Sequence, residues 1–191
     1  MKKENPVKNA LILCAITLVA GICLSFVYQL TLTPIQQAQL AAKAEAYVEV
    51  YQDADSFGAV DGSDELIASS AQSIVDAGYA GAVIDDVMTA LDGSGNVIGY
   101  VLSSTSKNGY NGEVTVAIGV DLTGAITGFK PLEHSETPGF GAKCEDDSFT
   151  GQFPGLTSAD EIDAISGATF TTKAIREAVG AGLYFVNNNL L

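Results

Sequence analysis

Two stretches of the chain carry polar groups in arrangements that packing alone does not require. In Asp163-Ala164-Ile165-Ser166-Gly167-Ala168-Thr169-Phe170-Thr171-Thr172, four hydroxyls and one carboxylate surround a Gly-Ala pair. This stretch is expected to pass from a strand end into the start of the last helix. Free backbone N–H groups and the positive dipole end make such a junction a natural phosphate site. Gly167 and Ala168 leave room for a bulky group or a second protein, and Ser166, Thr169, Thr171 and Thr172 offer hydroxyls. A Ser/Thr cluster in this place also reads as an ordinary helix N-cap.

The second stretch is His134-Ser135-Glu136-Thr137-Pro138-Gly139-Phe140-Gly141-Ala142-Lys143. Thr137-Pro138-Gly139-Phe140 fits a type II turn, with Pro second and Gly third. Taken alone, it is equally a Pro-Gly turn beside a solvated histidine. His134 is the only histidine, so multi-histidine metal sites are excluded, and no nucleophile motif beside it suggests a triad.

The elements that must position these stretches are legible in the periodicity. Residues 10–32 form a run of uncharged, mainly apolar residues. As a helix the run measures roughly 34 Å, enough to cross a bilayer core. Lys2, Lys3 and Lys8 precede it and the next cation is Lys43. The excess of cations before the run places residues 1–9 in the cytoplasm and the bulk of the chain outside. A cleaved signal peptide is the rival reading, but the run is long for a signal core. Neither Cys14 nor Cys23 has a small preceding residue of the kind a lipoprotein site needs. The two cysteines stand roughly 180° apart around such a helix and cannot share a metal within it.

Beyond the membrane, Thr33-Pro34-Ile35-Gln36 reads as a new helix start with a capping box. An Ala-rich helical stripe continues to about Tyr51, giving a stalk over residues 33–58. Residues 53–62 look turn-like and 64–78 helical. The period then changes to two, with strands expected over 87–91, 97–104, 113–120 and 125–132, joined by short turns. Ile175, Ala178, Val179, Gly182, Leu183 and Val186 give the last helix one apolar face. The expected domain, residues 59–191, is α+β: an antiparallel sheet with packed helices, preceded by one N-terminal transmembrane helix.

Composition narrows the function classes. The 191 residues carry 23 acidic and 9 basic side chains, a net charge of -14, and three of the nine cations precede the apolar run. Nucleic-acid binding needs a cationic surface, so that class is excluded. Cys14, Cys23 and Cys144 form no disulfide framework, and no Cys/His spacing suggests zinc or an iron–sulfur cluster.

The two stretches together, behind one anchor helix, resemble a known family of FMN-binding domains. The pattern Asp163-x-x-Ser166-Gly167-Ala168-Thr169 is similar to the recognition motif of an extracytoplasmic flavin transferase. That enzyme takes FAD and leaves FMN as a phosphoester on the final Thr, here Thr169. The loop HSETPGFG is similar to the partner motif of the same domains, with Phe140 where the family usually has Leu. Size and layout resemble the G subunit of the Rnf complex, which moves electrons between ferredoxin and NAD while translocating ions. The C subunit of the sodium-translocating NADH:quinone reductase is similar but longer.

The resemblance implies a redox subunit of a translocase, not a complete enzyme alone. It implies covalent FMN on Thr169, with His134, Glu136, Thr137 and Gly139 lining or shaping the flavin pocket. It implies Asp163 as a recognition residue for the modifying enzyme. Multi-spanning and iron–sulfur subunits are the implied partners, with the flavin transferase as a partner in maturation. Lys173 and Arg176 could approach the phosphate or belong to a solvated helix face. The alternatives are the FMN-binding subunit of a sodium-translocating NADH:quinone reductase, an FMN-bearing domain of another extracytoplasmic reductase, and a non-redox anchored surface protein.

Overall fold

A computed structural model describes residues 6–191. It contains two compact units, residues 1–42 and residues 43–191.

Within the first unit the chain is helical throughout its described residues. Helix α1 (Pro6–Val50) contains an apolar segment, Asn9–Tyr28, with a mean hydropathy of 2.7 and no buried side chains. Its length and composition suit a membrane span. The expected helix start at Thr33 is not a start: the helical backbone passes through Pro34. A proline ring inside a helix removes one i→i−4 hydrogen bond but does not force the helix to end. The side chains of residues 32–38 lie outside the described set, so the capping box expected there does too.

The second unit is built on a five-stranded antiparallel meander. Its strands are β1 (Ser56–Ala59), β2 (Ala82–Leu91), β3 (Val97–Ser106), β4 (Val114–Asp121) and β5 (Ile126–His134), in that spatial order. Helix α2 (Ser63–Asp76) joins β1 to β2. After β5 come a 3-10 turn at Gly141–Glu145, the short α3 (Asp147–Thr150), a second 3-10 turn at Ala159–Glu161 and α4 (Thr169–Asn189).

Alternation sorts the sheet's side chains to two faces. On β4, Val114, Val116, Ile118 and Val120 join the main core with Ile175, Ala178, Val179, Leu183 and Val186 of α4. The apolar stripe expected for the last helix is therefore the buried one. Ala117 of β4 and Val101 of β3 point the other way, to Ala46, Tyr47 and Val50 of α1 and to Tyr51. The last two turns of α1 and Tyr51 thus cover the second face, fixed by Tyr47 Oη to Asp86 Oδ2 at 3.2 Å and Thr127 Oγ1 to the Val50 carbonyl at 2.7 Å.

Three expectations change. Residues 53–62 are not all turn, because Ser56–Ala59 pairs with Leu91–Met88 as β1. Strand β2 starts at Ala82, and a register shift between Ile84 and Asp86 explains why its first half shows no clean alternation. No strand leads into α4. Residues 162–168 form a loop and turn, with Ile162 and Ile165 buried three positions apart.

Candidate functional site

The start of α4 is defined by backbone rather than by a capping side chain. Ala168 occupies the N-cap with φ -131° and ψ 54°, and no side chain caps the helix. Thr169 is the first helical residue, so the Ser/Thr cluster is not a conventional cap. The Thr172 N–H reaches the Ala168 carbonyl at 3.0 Å. The N–H groups of Thr169, Phe170 and Thr171 have no acceptor among the described residues. Three unpaired donors at the positive end of a 21-residue helix are suited to an anion.

The hydroxyls of this turn have separate fates. Thr172 is buried; its Oγ1 accepts the Ile165 N–H and donates to the Ala168 carbonyl, both at 3.0 Å. Thr171 is buried and donates to Glu136 Oε2 at 2.7 Å. Thr169 is exposed, and its hydroxyl makes no hydrogen bond among the described residues. Two of the three threonines hold the fold, and the third is left free.

The loop after β5 supplies the opposite wall. Gly139 has φ 78° and the Phe140 N–H bonds the Thr137 carbonyl at 3.1 Å, so the Pro-Gly turn forms as its sequence requires. Glu136 is only 6% exposed. Besides Thr171, it accepts the Tyr110 N–H at 2.7 Å. Its own N–H donates to His134 Nδ1 at 3.2 Å, which leaves the proton on Nε2, 2.9 Å from Glu145 Oε1. The carboxylate therefore ties the loop before β4, the loop after β5 and the first turn of α4 together.

Between these walls lies a cleft of about 470 Å³, lined by Tyr110, Glu136, Thr137, Phe140, Gly141, Gly167, Ala168, Thr169, Phe170 and Thr171. That volume is within the roughly 300–1,000 Å³ of small-molecule sites. Three exposed aromatic rings border it: Tyr110, Phe140 and Phe170. The Tyr110 and Phe170 rings are 6.3 Å apart at 45°. Phe140 lies against Gly167, where a Cβ would come within 3.3 Å of its ring. Among the described residues no Lys or Arg lines the cleft.

The structure brings five of the expected site residues into this cleft: Glu136, Thr137, Gly167, Ala168 and Thr169. His134 stands behind Glu136, and Gly139 shapes the turn without lining the cleft. Asp163 and Ser166 open on a separate depression with Lys143, Asp146 and Gln152. Arg176 does not approach these three donors; its Nε donates to the Ile162 carbonyl at 3.0 Å, and its Nη2 bonds the same oxygen. Lys173 is exposed and faces a third depression, shared with Phe170 and Lys107. Tyr110, Phe170 and Gly141 are additions to the expected set. Their only signals in the sequence are a Gly/Asn turn and a place beside Thr169 or Phe140.

Chemically, the cleft has an exposed hydroxyl, that of Thr169, with no base bonded to it among the described residues. The one carboxylate in the wall is turned to Tyr110 and Thr171. Among the described residues no group of three or more His, Cys, Asp or Glu side chains could hold a metal. Cys144 lies below, fully buried, with burial first and then Glu145 and Glu136 pushing its thiol up to about 12.

Comparison with known proteins places this geometry. A family model described as the FMN-binding domain matches residues 109–184, and one described as the RnfG N-terminal region matches residues 1–50. The G subunit of an ion-translocating oxidoreductase complex from Methanosarcina acetivorans is 32% identical over 90% of this chain and 89% of its own. The G subunit of the Na(+)-translocating ferredoxin:NAD(+) oxidoreductase complex of Acetobacterium woodii is 32% identical over 95% of this chain and 91% of its own. The proton-translocating counterpart of Clostridium ljungdahlii is 30% identical over 90% and 85%. With the FMN-binding domain spanning both walls of the cleft and relatives matched along nearly their full length, the chain belongs to the family of G subunits of ion-translocating oxidoreductase complexes.

Proposed function

We propose that this chain is a membrane-anchored electron carrier whose FMN is held by a phosphoester to Thr169 Oγ1. It works in a complex that couples electron transfer between ferredoxin and NAD to ion translocation. The observation that carries the attachment is the free hydroxyl of Thr169 at the first position of α4, beside three unpaired N–H groups and inside an aromatic cleft. The residues present fit the group. The α4 N–H groups suit phosphate oxygens, and the aromatic rings with Gly141, Gly167 and Ala168 suit a flat heterocycle. Bound FMN supplies reversible redox chemistry that the side chains of the cleft lack.

The charge balance favours a covalent link. Free FMN presents a phosphate that is mostly dianionic at neutral pH, and the cleft offers it no cation and one carboxylate. A phosphodiester carries one negative charge, and its bond does not depend on affinity. Attachment joins Thr169 Oγ1 to the flavin-side phosphorus of FAD, and the pyrophosphate P–O bond breaks. AMP leaves, and the hydroxyl proton goes to a base on the flavin transferase. The base is assigned to the transferase because the Thr169 hydroxyl makes no hydrogen bond among the described residues. His134 and Gly139 act by fixing Glu136 and the turn, and Asp163 and Ser166 are contacts for the transferase.

The anchor segment would put residues 1–9 in the cytoplasm and the cleft outside, because Lys2, Lys3 and Lys8 precede it. The relatives' names divide between sodium and protons, so the translocated ion is a property of each complex. The test is mass spectrometry of the chain made with and without the transferase. One FMN on Thr169, fluorescent in a denaturing gel, is expected. A chain that stays unmodified, or carries flavin on another residue, refutes the attachment.

A further inference from the structure

The segment from Ile162 to Thr169 combines a pinned backbone with unengaged side chains. Ile162 is buried and its carbonyl is held by Arg176. The Asp163 N–H donates to Gln152 Oε1 at 2.5 Å, and Gln152 in turn donates through Nε2 to the Phe149 carbonyl at 3.0 Å. Ile165 is buried, its N–H is held by Thr172, and its carbonyl accepts the Ala168 N–H at 3.0 Å. Gly167 makes the turn with φ 79°.

Between these pins Asp163, Ser166 and Thr169 are exposed at a spacing of three. None of their side chains makes a hydrogen bond or ion pair among the described residues. Ordinarily a loop rich in Asp, Ser and Thr bonds its own backbone through these side chains. Here the Ile162 carbonyl, the Asp163 N–H and the Ile165 N–H are held from outside the loop, by Arg176, Gln152 and Thr172, so all three side chains remain available to a partner. Binding to a loop already held in one shape avoids the ordering cost of a flexible one.

We infer that Gln152 and Arg176 are positioning residues for flavin attachment: they hold residues 162–168 as a rigid substrate loop for the flavin transferase. This rests on the reading of Thr169 as the acceptor. The transferase contacts Asp163 and Ser166 at the depression they share with Lys143 and Gln152, and it reaches Thr169 from there. Arg176 thus serves the phosphate site indirectly, through the Ile162 carbonyl.

The test uses the full chain, purified in detergent from cells lacking the transferase, then given purified transferase, FAD and magnesium. In-gel fluorescence gives the rate of attachment for the wild type, Gln152→Leu and Arg176→Met. Each variant is expected to lose roughly tenfold or more in kcat/KM for flavin transfer, since small misplacements of a reacting group cost factors of that order. Amide hydrogen exchange should quicken over residues 162–168 and stay unchanged in β3 and β4, which separates a loosened loop from a loosened fold. If wild-type Thr169 is modified and Gln152→Leu is modified equally fast, the inference falls alone. A wild-type chain that takes no flavin on Thr169 removes the reading beneath it as well. Should Arg176→Met fail to fold, Gln152→Leu carries the test, because Gln152 is only half-buried and contributes no apolar surface to the core.

Discussion

Thr171 Oγ1 donates to Glu136 Oε2 across a distance of 2.7 Å, and this one bond joins the first turn of α4 to the loop that follows β5. Both residues are buried, and the second carboxylate oxygen is occupied by the Tyr110 N–H. The floor of the cleft is therefore a buried polar knot, and its strength depends on every member having a partner.

Glu136→Ala should be among the costlier substitutions near the cleft. It orphans the part-buried Tyr110 N–H and the buried Thr171 hydroxyl, at about 1–3 kcal/mol for the buried hydroxyl left unpaired. Glu136→Gln should cost less, because the Thr171 hydroxyl can rotate to accept from the new amide while the amide oxygen keeps Tyr110. Thermal melts of the full chain in detergent, followed by tyrosine fluorescence, give the order. A Gln variant as unstable as the Ala variant would show that the negative charge matters more than the acceptor geometry.

The three threonines of α4 separate attachment from stability. Thr169→Ala removes no intramolecular hydrogen bond, so the melting temperature should stay within the range of a surface change, about 0.5 kcal/mol. The fluorescent flavin band should vanish, and Thr169→Ser should restore it. Thr172→Ala should do the reverse, costing about 1–3 kcal/mol for the unpaired Ile165 N–H while leaving the acceptor hydroxyl in place. A large loss of stability in Thr169→Ala would contradict the free hydroxyl.

Much of this architecture was legible in the sequence because its signals are periodic. The period-two runs of β3 and β4 and the apolar stripe of α4 are enforced by the same core, so pattern and structure coincide. β1 was not legible, because Ser56-Phe57-Gly58-Ala59 becomes a strand by pairing with Leu91–Met88 and not by its own pattern. The site divided in the same way. The Pro-Gly turn and the Thr169 junction follow from local rules. Which threonine stays free, and that Arg176 turns to the Ile162 carbonyl, depend on partners distant in sequence. Tyr110 borders the cleft with its backbone N–H held by Glu136, 26 residues further along the chain.

Gly141 should tolerate no side chain. A Cβ there would lie 2.5 Å from both Glu136 Oε2 and Thr171 Oγ1, inside the knot that closes the cleft floor. Gly141→Ala should cost about 1–3 kcal/mol as an overpacking change. It should also lower flavin attachment by shifting the α4 start. Phe140→Leu, at a ring that is 56% exposed, should leave the melting temperature nearly unchanged. Equal melting temperatures for Gly141→Ala and the wild type would mean that the carboxylate can retreat, and that the cleft floor is softer than its hydrogen bonds indicate.

Cys144 should be silent toward thiol reagents in the folded chain. Burial above all, then Glu145 and Glu136, raise its thiol to about 12, so almost no thiolate exists near neutral pH. In a Cys14→Ser/Cys23→Ser background, iodoacetamide at pH 8 should label Cys144 only after denaturation. Rapid labelling of the native chain would reveal an opening of the Gly141–Glu145 turn, which also carries the Glu145 partner of His134.

Alkaline stability should be governed in part by Tyr47 and Tyr51, where the end of α1 meets the sheet. Both phenols are raised above their ordinary 10.0, first by burial and then by nearby carboxylates, Asp86 for Tyr47 and Asp121 and Asp53 for Tyr51. A raised folded-state value means that the unfolded chain ionises first as pH climbs. The unfolded state then binds fewer protons than the native one, so stability falls with rising pH. The contribution is complete below pH 10 and is lost progressively above it. Melting temperatures measured from pH 8 to pH 11 should drop steeply past pH 10, and Tyr47→Phe should flatten that drop while losing the bond to Asp86 at every pH. An unchanged slope in Tyr47→Phe would assign the alkaline transition to other groups and leave the contact between α1 and Asp86 without a titrating member.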